Sequence, residues 1–432
     1  MKKKKDNPEH IGIILPRFND LYVANKNIVE RLKKIYSKTF KFKNIIFYWH
    51  NCNSDFSDLV NISIKILKDR PKIIVIHNQI GHPYNLLKML FNENNYSPKL
   101  YIHLWSNLVD SPTEWKLLGD LLAEKKISTQ LIVATEIQKK FVDQFLDKSN
   151  ETTVCKMPIL EEGTTFDPKK REAWRKQNNL QDGDFVILIP GDLTIDSCYE
   201  ILLKELFNLA AIRKKIKLII TGRHKDDRIP FWNIGPIKGH SYHLFENLFK
   251  NINPSFMQNI CYIPNLNDQD MTPLLCGIDC CITLSLNQTD PLHQRSLLPA
   301  MALGATAMAL NWGILTNQFD FLKLITVEMT KNGIQINRPH VSNLLLEVFA
   351  MMKKNSKTEQ DTLRKEISKI CIEYYSQKSI IKNLKKIISI PPTPFIGFNW
   401  KLNKTREINL SNTNSRIEGS LYFDLFNKYI QN

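Results

Sequence analysis

Several things are scarce or missing in this chain of 432 residues. No uninterrupted apolar run approaches the roughly 20 residues that a membrane-spanning helix needs, which argues against an integral helical membrane protein. The basic start Met1-Lys2-Lys3-Lys4-Lys5 leads into a strand-length apolar segment and not into a secretory core, so a cytoplasmic location is expected. The eight cysteines lack the paired spacing of a disulfide framework or a zinc site. Cys261, Cys276, Cys280 and Cys281 lie in apolar segments and read as buried, reduced thiols, and no metal is expected. Acidic side chains are few: 43 Asp and Glu face 59 Lys and Arg, for a net charge of +16. That excess suits an anionic substrate or an anionic membrane surface. Nucleic acid fits poorly, because no aromatic–basic interleaving, helix-turn-helix or zinc-finger pattern accompanies the charge.

What is present is ordinary globular composition, with 43% hydrophobic and 24% charged residues. The length exceeds what one core usually serves, so two domains are expected. In the first half, continuous apolar runs read as strands at Ile11 to Leu15, Asn44 to Trp49, Lys72 to His77, Leu100 to Leu104 and Leu131 to Ala134. Helical periodicity fills the gaps, as in Asn25 to Tyr36 with Ile28, Leu32 and Ile35. Runs without polar alternation predict strands buried on both faces, hence parallel. A turn-rich connector begins at Met157, and a second alternating half follows. Its strands are expected at Phe185 to Pro190, Lys217 to Thr221, Asn259 to Ile263, Ile278 to Leu284, Ala305 to Leu310 and Lys323 to Val327. Val341 to Lys354 and Thr358 to Ile387 read as closing helices. The expected class is α/β, with two doubly wound Rossmann-like domains at 1–160 and 161–390 facing across a cleft. An extension at 391–432, helix-like over Tyr422 to Ile430, is expected to pack back on the first domain.

Ser285 to Asn311 is the most legible stretch: a polar loop after a strand, a helix from Arg295 to Leu303, Gly304, then another strand. In parallel sheets ligands sit at the carboxyl ends of strands, where an opening helix offers free N–H groups to phosphate. His293, Gln294 and Arg295 open that helix after Asp290, and are candidates for an anionic ligand. Gly222, Arg223 and Lys225 follow another strand end, and Asn265 a third. In the first half, His77 ends one strand and His103 lies near the end of the next, with Asn78 and Trp105 beside them and Arg17 and Asn19 after the first strand.

The order of these segments resembles the GT-B glycosyltransferases, specifically the retaining family 4 group, over roughly Ile11 to Ile388. Phe166-Asp167-Pro168 with Trp174-Arg175-Lys176 is similar to that family's linker into its donor domain. Ile263-Pro264-Asn265-Leu266, Gly277-Ile278-Asp279 and Pro299-Ala300-Met301-Ala302-Leu303-Gly304 look like segments around its donor motif. The resemblance implies a hexosyltransferase-like enzyme that uses a UDP- or GDP-linked sugar, retains anomeric configuration and needs no metal or cofactor. It places the donor at Gly222, Arg223, Lys225, Asn265, Asp290, His293, Gln294 and Arg295. It places the acceptor, a glycan or lipid-linked molecule of surface polysaccharide or lipopolysaccharide type, past Arg17, Asn19, Asn78 and Trp105. His103 and His77 would stand near the transferred sugar, and the protein would rest peripherally on the inner face of a membrane. The chain departs from the family at its second motif carboxylate, where it has Pro299, and at the donor-phosphate arginine, where it has Asp192. Those departures fit a second reading, a non-catalytic relative acting as a binding or partner subunit.

Overall fold

Strands that are apolar on both sides need cover on both sides, and the chain supplies it by inserting a helix after nearly every strand. The computed structural model describes residues 10–17, 23–40, 44–51, 56–78, 83–92, 96–105, 108, 112–190, 198–209, 215–222, 258–264, 268–284, 294–311, 321–330 and 333–399. The first sheet contains β1 (His10–Arg17), β2 (Asn44–Asn51), β3 (Ile73–Asn78), β4 (Lys99–Leu104), β5 (Thr129–Val133) and β6 (Thr153–Val154). Its order is β2-β1-β3-β4-β5-β6 and every described ladder is parallel. Its helices are α1 (Val23–Thr39), α2 (Phe56–Asp69), α3 (Pro83–Asn92), α4 (Pro112–Glu124) and α5 (Glu136–Val142). Alternate residues of β1 serve different layers: Ile11, Ile13 and Leu15 join Ile28, Leu32 and Ile35 of α1, while Ile14 joins Leu59 and Ile62 of α2.

The second sheet contains β7 (Phe185–Ile189), β8 (Ile216–Gly222), β9 (Ile260–Pro264), β10 (Cys280–Thr283), β11 (Thr306–Leu310) and β12 (Leu322–Ile325). Its order is β12-β11-β10-β7-β8-β9, again parallel. α6 (Pro168–Gln177) leads into it, and α7 (Tyr199–Asn208), α8 (Asp268–Gly277) and α9 (Gln294–Ala302) lie between its strands. An antiparallel hairpin, β13 (Val327–Thr330) and β14 (Gly333–Ile336), precedes α10 (Arg338–Lys354), α11 (Lys357–Tyr375) and α12 (Gln377–Ser389). The α/β class and the two parallel sheets are therefore as the sequence predicts.

Three details differ from expectation. The single closing helix expected over Thr358 to Ile387 breaks at Ser376, whose extended backbone (φ −62°, ψ 148°) lets its hydroxyl accept from Ser379 N and cap a new helix. The strand expected over Lys323 to Val327 ends at Ile325, and Val327 belongs to the hairpin. Cys261 is exposed and not buried, because β9 is the edge of its sheet. Six other described cysteines are buried and form no disulfide.

The break at Ser376 returns the chain to the first sheet. α12 packs against α1, and Tyr101 donates its hydroxyl to Ile390 O at 3.1 Å. Pro394 pairs with Ser128, Thr129 N donates to Thr393 O, and the Phe398 ring packs edge-on to Trp115 at 6.2 Å. Where the connector leaves β6, the Lys156 ammonium sits 4.2 Å and 4.7 Å from the ring centroids of Tyr374 and Tyr375 at the end of α11. Burial draws that ammonium down to about 8.

One buried carboxylate organises the start of the second sheet. Asp279 accepts from Arg171 (2.7 Å) and Arg175 (3.1 Å) of α6 and from Arg364 (2.5 Å) of α11. Val186 N adds a fourth bond at 2.8 Å. Burial would raise this carboxyl, but the three guanidinium charges and the Val186 amide outweigh it and hold the group below the usual aspartate value. Close approach needs glycine twice here. A Cβ on Gly277 would lie 1.7 Å from Trp174 Cε3, and Gly304, at φ +87°, would meet Phe166 and Arg364.

Asp279→Ala leaves buried guanidinium groups without their anion, a loss of about 3–5 kcal/mol. Urea titration at neutral pH should show a drop of that size. Because the folded-state value is depressed, the stabilisation is complete above the unfolded aspartate value and is lost as pH falls through the folded one.

Candidate functional site

In an open parallel sheet the natural ligand crevice lies at the carboxyl ends of the strands, where the strand order reverses. The first sheet reverses between β1 and β3, and the second between β7 and β10. β1 ends in Arg17 and β3 in His77 and Asn78, so three of the predicted residues occupy the first reversal. β10 ends at Thr283, and the next described element is α9, which opens with Gln294 and Arg295. β8 ends at Gly222, paired with Pro264. Arg223, Lys225, Asn265, Asp290, His293 and Asn19 lie outside the described residues, as do the side chains of Asn78, Gln294 and Arg295.

His77 and His103 are register partners on β3 and β4, so parallel pairing brings their rings to 4.9 Å, centroid to centroid. Both are buried, at 0% and 1% exposure. Trp105 Nε1, which can only donate, bonds His77 Nδ1 at 2.9 Å. Nδ1 is therefore bare, and the neutral ring carries its proton on Nε2, where it donates to the Tyr36 hydroxyl at 2.7 Å. His103 Nε2 lies 3.1 Å from Cys155 O, a carbonyl that can only accept, so Nε2 holds the proton there too. His103 Nδ1 is a buried acceptor with no partner among the described residues. Protonating either ring would place a charge in an apolar layer. Burial pushes His77 well below the usual histidine value, with the neighbouring His103 adding to the effect, and draws His103 down to about 4 against the opposing Cys155 bond.

The pair is thus a neutral, fixed platform under the carboxyl edge of the first sheet. Two of its members were not predicted. Tyr36 reads as core from its helical spacing, and Cys155 contributes only a backbone carbonyl, which leaves no signal in a sequence. Trp105, expected to face an acceptor, is fully buried and holds His77. Arg17 is exposed. Its guanidinium lies 6.0 Å from the Trp49 ring centroid on β2, and Lys33 Nζ of α1 lies 5.7 Å from it. In the second sheet, Pro299 sits inside α9, half-buried, and has neither a carboxylate nor an amide hydrogen. Among the described residues no group of three or more His, Cys, Asp or Glu side chains is arranged to hold a metal. No described helix is long and apolar enough to cross a membrane.

No family model and no curated protein sequence matches the chain. Solved structures do. A glycosyltransferase from Rickettsia africae shares 14% identity at a TM-score of 0.61, over 88% of this chain and 98% of its own. Anabaena HepE in complex with UDP and glucose shares 13% at 0.58, over 88% and 99%. WaaG, a glycosyltransferase involved in lipopolysaccharide biosynthesis, shares 12% at 0.56, over 88% and 99%. At such identities the likeness establishes the fold, and the chain has the GT-B fold of glycosyltransferases.

Because both histidines are held neutral, folded stability should fall as pH drops from about 6.5 toward about 4, where the unfolded chain binds protons and the folded one does not. Urea unfolding across that interval checks this, and His103→Gln, which keeps a donor for Cys155 O, should remove part of the loss. The His103 ring protons should titrate at about 4 by NMR.

Proposed function

We propose that the protein is a glycosyltransferase that moves a hexose-like sugar from a nucleotide-sugar, UDP- or GDP-linked, to a glycan or lipid-linked acceptor. The observation that carries this reading is the fold, two parallel six-stranded sheets that superpose on solved glycosyltransferases over 88% of the chain. Some of those neighbours hold UDP or UDP-glucose in their solved complexes. The reading includes membership of the retaining family 4 group and the division into units at 1–160 and 161–390, with 391–432 returning to the first. It also includes an acceptor of lipopolysaccharide or surface-polysaccharide type, on the cytoplasmic face of a membrane.

In this reading the diphosphate lies against the second sheet, where the open amides of α9, Arg295, His293 and Gln294 take its charge. Arg223, Lys225 and Gly222 approach from β8, and Asn265 and Asp290 contact the nucleoside or sugar. No metal or cofactor is needed, because departure of a nucleoside diphosphate is assisted by fixed cations and helix amides. The acceptor enters past Arg17, Asn19 and Asn78, and the buried Trp105 serves by holding His77. His103 offers its bare Nδ1 to a sugar hydroxyl, and the His77 ring packs against it.

A second reading is favoured by Pro299, which supplies no carboxylate for a ribose at the helix position where the resembled family has one. A chain without that contact is a binding or partner subunit that turns nothing over.

Calorimetry with UDP, GDP, ADP, CMP and CDP separates the two. The expected result is saturable binding of one nucleotide, weakened at least roughly tenfold in Arg295→Ala, as loss of a charge-assisted phosphate contact implies. His103→Ala should keep nucleotide binding and lose turnover. Folded protein that binds none of them is the partner subunit.

A further inference from the structure

The helix that returns the chain to the first sheet carries charge of one sign only. α12, Gln377–Ser389, buries Gln377, Ile380, Leu384 and Ile387 and contains no acidic residue. Its exposed lysines, Lys378, Lys382, Lys385 and Lys386, fall on one arc of roughly 100° opposite that buried side. None of the four has an acidic partner among the described residues. The neighbouring helix shows that this is not the general habit of the surface. α11 interleaves Lys357, Lys365 and Lys369 with Glu359, Asp361, Glu366 and Glu373, and pairs Lys357 with Glu172 at 3.1 Å. α1, packed beside α12, adds exposed Lys33 and Lys34 against a single exposed acid, Glu30. Two large apolar side chains stand exposed where α12 ends and the chain runs on: Ile390 at 56% and Ile396 at 60%.

We propose that the α12 face, with α1 at its flank, is a docking surface for an anionic membrane. Lysines fit this partner, since an ammonium on a long flexible stem follows a fluid plane of headgroups, and several together bind additively. The exposed isoleucines suit the boundary between headgroups and acyl chains, where apolar side chains add affinity that salt does not screen. A nucleic acid would be expected to meet arginine forks and stacking aromatics, and α12 exposes neither. The tie from Tyr101 to Ile390 O fixes this surface to the first sheet, the side on which the proposed acceptor enters. The inference deepens the reading of a lipid-linked acceptor, but its test needs no turnover.

The test is flotation of the full chain with phosphatidylcholine vesicles, pure or containing about one third phosphatidylglycerol. Wild-type protein is expected to float with the anionic vesicles and not with the neutral ones. The quadruple variant K378E/K382E/K385E/K386E should partition at least roughly tenfold more weakly. A control of equal charge change on α10 and α11, K353E/K354E/K365E/K369E, should stay within about twofold. Substituting the same four α12 lysines with glutamine should give an intermediate loss, which guards against a misfolded glutamate variant. The proposal is overturned if wild-type protein ignores anionic vesicles or if both quadruple variants lose binding equally. It is also overturned if the α12 lysines govern retention of duplex DNA and not of vesicles. Calorimetry with UDP on the α12 variant keeps the two readings apart: unchanged nucleotide binding leaves the donor site standing whatever the vesicles show.

Discussion

Asp279 is the fixed point of the second half of the molecule. It lies at the amino end of β10, the strand at which the sheet order reverses, and it draws three arginines from two helices onto one carboxylate. Arg171 also donates to Gly277 O and Ile278 O, and Arg364 to Gly304 O, so the same groups close the ends of α8 and α9. Its backbone joins β7 through Val186 O and β11 through Thr306 N. A buried ion cluster of this kind contributes little net stability compared with an apolar replacement, but losing one member is costly. Its consequence is geometric. Helices and strands have one permitted arrangement at this end, and the opposite, carboxyl ends are where loops vary.

The first sheet is organised by a neutral polar cluster in place of an ionic one. Tyr36, His77 and Trp105 satisfy one another, and His103 is tied to Cys155 O. Each bond fixes the tautomer of its histidine, and burial keeps both rings uncharged. One atom, His103 Nδ1, has no hydrogen-bond partner among the described residues. Buried polar atoms usually find partners, which is why this atom carries the proposed contact with a ligand hydroxyl.

The two sheets are joined by chain segments that cross between them and by contacts of different character. Lys156 lies against Tyr374 and Tyr375, Arg31 donates to Ile159 O at 2.5 Å and pairs with Glu161, and α12 lies along α1. The Lys156 and Arg31 contacts join cations to π faces, carbonyls and a carboxylate, whereas the buried Ile380, Leu384 and Ile387 of α12 belong to the same apolar cluster as Ile28, Leu32 and Ile35 of α1.

The fold class was legible because its signal is local. Apolar runs such as Ile11 to Leu15 and Phe185 to Ile189 are continuous, so they had to be covered on both faces and paired in parallel. The candidates Arg17, His77 and Gly222 were legible because strand ends can be located from the runs themselves. Nothing local announced the break at Ser376, since hydrophobic periodicity continues through it into Ile380, Leu384 and Ile387, and only the return to the first sheet requires it. Cys261 looked buried because an edge strand has the same composition as a central one. The sequence by itself determined which segments become strands and helices and where charge accumulates, since these follow from backbone sterics and side-chain transfer energies. Tertiary structure alone decided that Trp105 would hold His77, that Asp279 would gather three arginines, and that four lysines would share one unopposed face. Those outcomes depend on strand register and helix rotation, which bring together residues up to 108 positions apart.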